Sequence, residues 1–202
     1  RAQGGTTSGN TSLRNEVADE WSVGFVYQPS FIKGLAVSFD WVNIDIKDAI
    51  VNFSLSSIMQ VCYDSPSKPA DVCSRFRRNS QGQIVTADAA SGYTGPAQGF
   101  VNAGYTNFQG ATLGVDYNFD LADAPFLNKA ANGADLGNLD FNFDLFHVNK
   151  QETSVTGLGF DLNDDKGEIG NPDVQWKLDT TYRRGPLAVT LTTNFIGKSY
   201  FK

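Results

Sequence analysis

In several stretches of this chain apolar side chains recur at every second position, the period that sends successive side chains to opposite faces of a β-strand. Val17, Trp21, Val23, Phe25 and Tyr27 form one such row against Ala18, Glu20, Ser22, Gly24 and Gln28, with Asp19 intruding. After a Pro- and Gly-containing turn over residues 29–34, Leu35, Val37, Phe39 and Trp41 alternate with Ala36, Ser38 and Asp40. Near Val42 the phase slips to Ile44 and Ile46, which predicts a β-bulge. Periodicity then vanishes over residues 52–99, a segment rich in Pro, Ser and Gly that reads as one long loop without a helix. It returns as Leu113, Val115, Tyr117 and Phe119, again as Leu139, Phe141, Phe143 and Leu145, and, beyond an aperiodic stretch over 150–170, as Val174, Trp176, Leu178, Thr180 and Tyr182. Arg184-Gly185-Pro186 turns the chain into a last row of Leu187, Val189, Leu191, Thr193 and Phe195.

The pattern predicts an all-β protein, an antiparallel meander of about six strands. Its connections alternate in length: the first and fifth are tight and the third moderate, while the second and fourth are the long segments 52–99 and 150–170. Long loops therefore gather at one end of the sheet, the asymmetry of transmembrane barrels. Tyr27, Tyr117 and Tyr182 close the apolar rows beside the short turns, where a ring can sit in an apolar layer and a hydroxyl in water.

Composition narrows the chemistry. With 202 residues, 41% hydrophobic and 19% charged, the chain can fold and bury a core. A net charge of -6 argues against a nucleic-acid surface. A single histidine, His147, and two cysteines leave too few ligands for a His- or Cys-rich zinc site, and no cofactor is expected. No run of 18 apolar residues occurs, which excludes a spanning helix and leaves a membrane barrel open.

Three segments carry a family resemblance: Gly9-Asn-Thr-Ser-Leu-Arg-Asn-Glu16 with Trp21-Ser-Val-Gly-Phe25; Val37-Ser-Phe-Asp-Trp-Val-Asn-Ile-Asp-Ile-Lys-Asp-Ala-Ile50; and Phe100-Val-Asn-Ala-Gly104 through Gly110 to Tyr117-Asn-Phe-Asp-Leu121. Together they resemble the C-terminal barrel of TonB-dependent outer-membrane receptors. That resemblance implies about six strands of a barrel of roughly 22, with the plug domain and the last strands outside these residues. It also implies a bacterial (Gram-negative) outer-membrane location, lipid and lipopolysaccharide around the barrel, and the TonB complex as a partner through the plug. The function it implies is receptor-mediated, energy-dependent import of a siderophore, cobalamin or oligosaccharide, without enzymatic chemistry. The alternatives are a passive porin-like channel and a soluble or surface β-domain for adhesion or carbohydrate binding.

In that setting residues 52–99 and 150–170 are extracellular loops. Cys62 and Cys73, with ten residues between them, lie in an oxidising compartment and are expected to pair. Tyr63, Arg75, Arg77, Arg78 and Tyr93 are candidate ligand-binding residues, because guanidinium forks suit carboxylates and phosphates and rings suit sugar faces. Asp161, Asn163 and Asp165 have the alternate spacing of a calcium loop, but Gly167 falls one place late and Pro172 stands where a closing Glu would be. Glu20, Asp40, Asp116, Asp140, Asp144, Lys177 and Asp179 belong to the polar rows and are expected to face the lumen, opposite Trp21, Phe25, Phe39, Trp41, Phe141, Phe143 and Trp176.

Overall fold

The computed structural model describes residues 6–7, 9–68, 70–85, 92, 95–124, 126, 129, 132 and 134–201, without the side chain of Asp71. In chain order the elements are β1 (Thr6–Thr7), β2 (Val17–Tyr27), β3 (Leu35–Phe53), α1 (Leu55–Tyr63), α2 (Ala70–Cys73), β4 (Arg77–Arg78) and β5 (Ile84–Val85). There follow β6 (Ala97–Asp120), β7 (Asn138–Ser154), β8 (Asn163–Asp164), β9 (Val174–Arg184) and β10 (Leu187–Ile196). The six long strands form one sheet in the order β10-β9-β7-β6-β3-β2, a meander in which each strand pairs with its predecessor in the series. The sheet is open: β2 and β10 stand at its two ends.

The alternation read from the sequence fixes the register. In the antiparallel pair β7–β9, Phe141 faces Thr180, Phe143 faces Leu178 and Leu145 faces Trp176; across β9–β10, Trp176 faces Phe195 and Tyr182 faces Val189. Directly opposed residues share a face, so the apolar rows merge into one surface. Ring contacts continue it, with Tyr117 stacked on Phe141 (6.5 Å between centroids), Phe143 near Trp176 (5.9 Å), Trp176 on Phe195 (5.5 Å) and Phe25 near Phe39 (5.8 Å). Among the described residues no second layer covers this face at the end strands. Trp21 is 54% exposed, Phe25 58% and Leu191 67%.

Two predicted features need correction. Residues 52–99 are not a loop devoid of helix: α1 and α2 lie within them, and β6 enters them at Ala97. Likewise β7 runs to Ser154, and the short strand β8 pairs with it through Glu152 and Thr153, so 150–170 is only partly irregular. In β3 the residue with left-handed backbone is Asp48 (φ 54°).

The residues group into two compact units. One comprises residues 1–19, 44–107 and 152–164, and its core is the cluster of Phe53, Ile58, Val61, Cys62 and Phe76. Helix α1 forms because Ser54 caps it, its Oγ accepting from the Ser57 amide (3.2 Å), and because Ile58, Val61 and Cys62 fall at the spacing of one helical face. Ile58 and Val61 are fully buried, each worth about 1.5–3 kcal/mol by its removal from water. The other unit comprises residues 20–43, 108–151 and 165–202 and contains the tight turns. At the end of the longer β6–β7 connection Gly137 (φ 79°) shows where glycine is required: a Cβ there would lie 2.2 Å from the Arg183 carbonyl oxygen.

Candidate functional site

Opposite the apolar face runs a continuous polar one. Asp140 faces Thr181, Asn142 faces Asp179 and Asp144 faces Lys177, while Thr192 and Asn194 of β10 face Asp179 and Lys177 from the other side. Side chains cross between strands. Asp140 accepts from Asn118 of β6, from Asn138 (3.5 Å) and from Arg183 of β9, so one carboxylate ties three strands together. Asn142 donates to Asp116 (2.5 Å), Thr192 donates to Asp179 (2.5 Å), and Lys177 pairs with Asp179 (2.6 Å). Further along, Asp40 lies over Gly24 and Ser38 over Gly114, where a Cβ would come within 2.0 Å of the carboxylate and 2.5 Å of the hydroxyl respectively.

Asp40, Asp116, Asp140, Asp144, Lys177 and Asp179 are thus on one face, with Glu20 on the same parity as Gly24. Sequence reasoning did not single out Arg183, whose role depends on its reaching Asp140 diagonally on the neighbouring strand. It also passed over Phe108 and Phe146, which stack at 6.3 Å on the polar side, where alternation alone expects no aromatic pair. Tyr117 and Tyr182 lie on the apolar face, and the Tyr182 hydroxyl donates to the Leu136 carbonyl oxygen (2.9 Å). His147 continues the apolar row opposite Val174, and its Nδ1 donates to the Asp173 carbonyl (3.1 Å).

Within the first unit, Cys62 at the end of α1 and Cys73 at the end of α2 form a disulfide, with Cα atoms 5.3 Å apart. Tyr63 stacks with Phe76 (6.2 Å, 25°). The Arg78 guanidinium lies 5.3 Å from the Tyr63 ring centroid and 5.8 Å from that of Phe76, and Arg75 lies 5.8 Å from that of Phe53. Arg78 Nη1 also donates to the Gly82 carbonyl (2.5 Å), which closes the β4–β5 turn. Arg77 is in β4, opposite Val85. The structure therefore gathers Tyr63, Arg75 and Arg78 around the aromatic core of the first unit; Tyr93 lies outside the described residues.

The 150–170 segment is pinned by Asp161. Its carboxylate accepts from the Ser154 hydroxyl, the Val155 amide (3.1 Å), the Thr156 amide (2.9 Å) and the Thr156 hydroxyl (2.7 Å). Both of its oxygens are thus engaged by protein donors. Among the described residues no group of three or more His, Cys, Asp or Glu side chains is placed to hold a metal ion. Asn102 is a second clasp that the sequence did not announce: its Nδ2 donates to the carbonyls of Arg14 and Asp48 (2.9 Å each), and its Oδ1 accepts from the Arg14 amide (2.8 Å).

An open antiparallel meander of long strands, uncovered and apolar on one side and hydrogen-bonded and charged on the other, is the wall of a transmembrane β-barrel. The family profile described as "TonB dependent receptor-like, beta-barrel" matches residues 1–202, and the chain belongs to that family of outer-membrane receptors and transporters. No match was found among curated proteins or solved structures.

Proposed function

We propose that the chain forms part of a receptor that imports a scarce ligand across the outer membrane using energy delivered through TonB. The observation that carries this reading is the two-faced sheet within a chain of this family. Lipid covers the row from Trp21 to Phe195, and the polar face lines the lumen. In this reading 52–99 and 150–170 are extracellular, and Tyr63, Arg75, Arg77 and Arg78 meet the ligand there. Glu20, Asp40, Asp116, Asp140, Asp144, Lys177 and Asp179 hydrogen-bond to water and to whatever polypeptide fills the lumen. Tyr27, Tyr117 and Tyr182 mark the membrane interface next to the short turns. Siderophore, cobalamin and oligosaccharide remain the ligand classes in play.

Uptake measured in cells carrying the full-length gene, its deletion and a TonB deletion tests the proposal. Uptake of the ligand should disappear in both deletions and on collapse of the inner-membrane proton gradient. Uptake that survives loss of TonB and of the gradient would make the protein a passive channel.

A further inference from the structure

Tyr63 is 47% exposed, and its hydroxyl has no hydrogen-bond partner among the described residues. Beside it the exposed Arg78 spends one N–H on Gly82 and keeps its other donors at the surface. Phe76, 8% exposed, forms the base of the stack, so ring and guanidinium are held by a buried partner. The support is stiff: the Cys62–Cys73 disulfide joins α1 to α2, and Ile58 and Val61 of the same helix as Tyr63 are packed into the core. A cation and an aromatic edge held in one place at the surface cost little ordering entropy when something binds.

We propose that the Tyr63–Arg78 pair is a docking site for a ring-bearing carboxylate. The guanidinium fork takes the carboxylate, and the Tyr63 ring takes the flat face or edge of the ligand ring. Neither half suffices alone, because an exposed cation over a ring adds a small increment and an exposed charge pair is screened by salt. This inference rests on the extracellular placement of 52–99 in the import reading, and it narrows the ligand class within it.

The test uses full-length receptor refolded in detergent, with three small probes: benzoate, cyclohexanecarboxylate and benzyl alcohol. Binding is followed by saturation-transfer NMR and titration calorimetry. Benzoate should bind more tightly than either of the others, which each lack one of the two features. Arg78→Lys should weaken benzoate by about two- to five-fold, and Arg78→Gln should remove its advantage over benzyl alcohol. Tyr63→Leu should remove its advantage over cyclohexanecarboxylate. Thiol assays for the intact disulfide and circular dichroism confirm that each variant keeps its fold, and Tyr63→Phe supplies a variant that preserves packing. Equal binding of benzoate and cyclohexanecarboxylate, or an unchanged benzoate affinity in both Arg78→Gln and Tyr63→Leu, would overturn the proposal. Because probe binding needs no energy source, this result is independent of the TonB experiment: a receptor that binds benzoate here but imports passively would sink the transport reading alone.

Discussion

Replacing Phe141 with Arg tests the assignment of the two faces at a single position. Phe141 stacks on Tyr117 at 6.5 Å and faces Thr180 in the middle of the apolar surface. If that surface meets lipid, the guanidinium projects beside Tyr117 and Thr180, away from the charged row, and must be dehydrated or drawn to the interface. The cost is about 2–4 kcal/mol at the bilayer midplane. Loss of the ring contact adds about 0.5–1.5 kcal/mol, which Phe141→Leu measures separately. The neighbouring position supplies the control. Asn142 points the other way, donates to Asp116 at 2.5 Å and faces Asp179, so an Arg there gains two carboxylates and should change stability by less than about 1 kcal/mol. The assay is reversible denaturant unfolding of the full-length barrel in lipid, followed by tryptophan fluorescence and by heat-modifiable migration. Equal costs at 141 and 142, or a larger cost at 142, would show that the apolar face does not meet lipid.

Three further outcomes follow from the geometry. Asp161→Ala strands the Thr156 amide and the Ser154 hydroxyl, both in buried residues, at about 1–3 kcal/mol each; hydrogen exchange should accelerate at 155 and 156 while global unfolding of the barrel barely changes. Intact cells should label at Cys62 and Cys73 with an impermeant thiol reagent only after reduction, and a double Cys→Ser variant should lose about 3 kcal/mol of local stability in the chain-entropy account, seen as faster proteolysis of 52–99. Labelling before reduction would contradict the bond. Gly137→Ala places a Cβ 2.2 Å from the Arg183 oxygen at a φ of 79°, so it should cost at least about 1–2 kcal/mol and slow refolding of the β7–β9 pair, whereas Gly159→Ala, with open space around it, should be nearly silent.

The faces were legible because alternation in β7, β9 and β10 is nearly unbroken, and a slip of one residue would have put Asp140, Asp144 and Lys177 among the rings. The start of β6 was less legible from periodicity: Gly99, Gly104 and Gly110 interrupt its rows, and Ala49, Val51 and Phe108 fill the space next to the latter two. Helix α1 left a signal that went unused, the Ser54 cap followed by Ile58, Val61 and Cys62, set in a stretch whose prolines and serines suggested a loop. The Asp161 and Asn102 clasps were beyond reach for another reason. Asn102 bonds to backbone groups alone, and Asp161 takes two of its four bonds from backbone amides, which any sequence supplies. Their position is a property of the folded chain.

Asp140 holds β6, β7 and β9 at once, by accepting from Asn118, from its own-strand neighbour Asn138 and from Arg183. A carboxylate shared in this way ties the register of β7 to that of both its neighbours. Arg183 is the cationic partner of Asp140 among the described residues, and a pairing of β7 with β9 offset by one residue would turn Arg183 toward the opposite face of the sheet. Correct pairing of β7 with β9 is therefore rewarded at Asp140 as well as along the rest of the polar ladder, where Asp144 meets Lys177 and Asn142 meets Asp179.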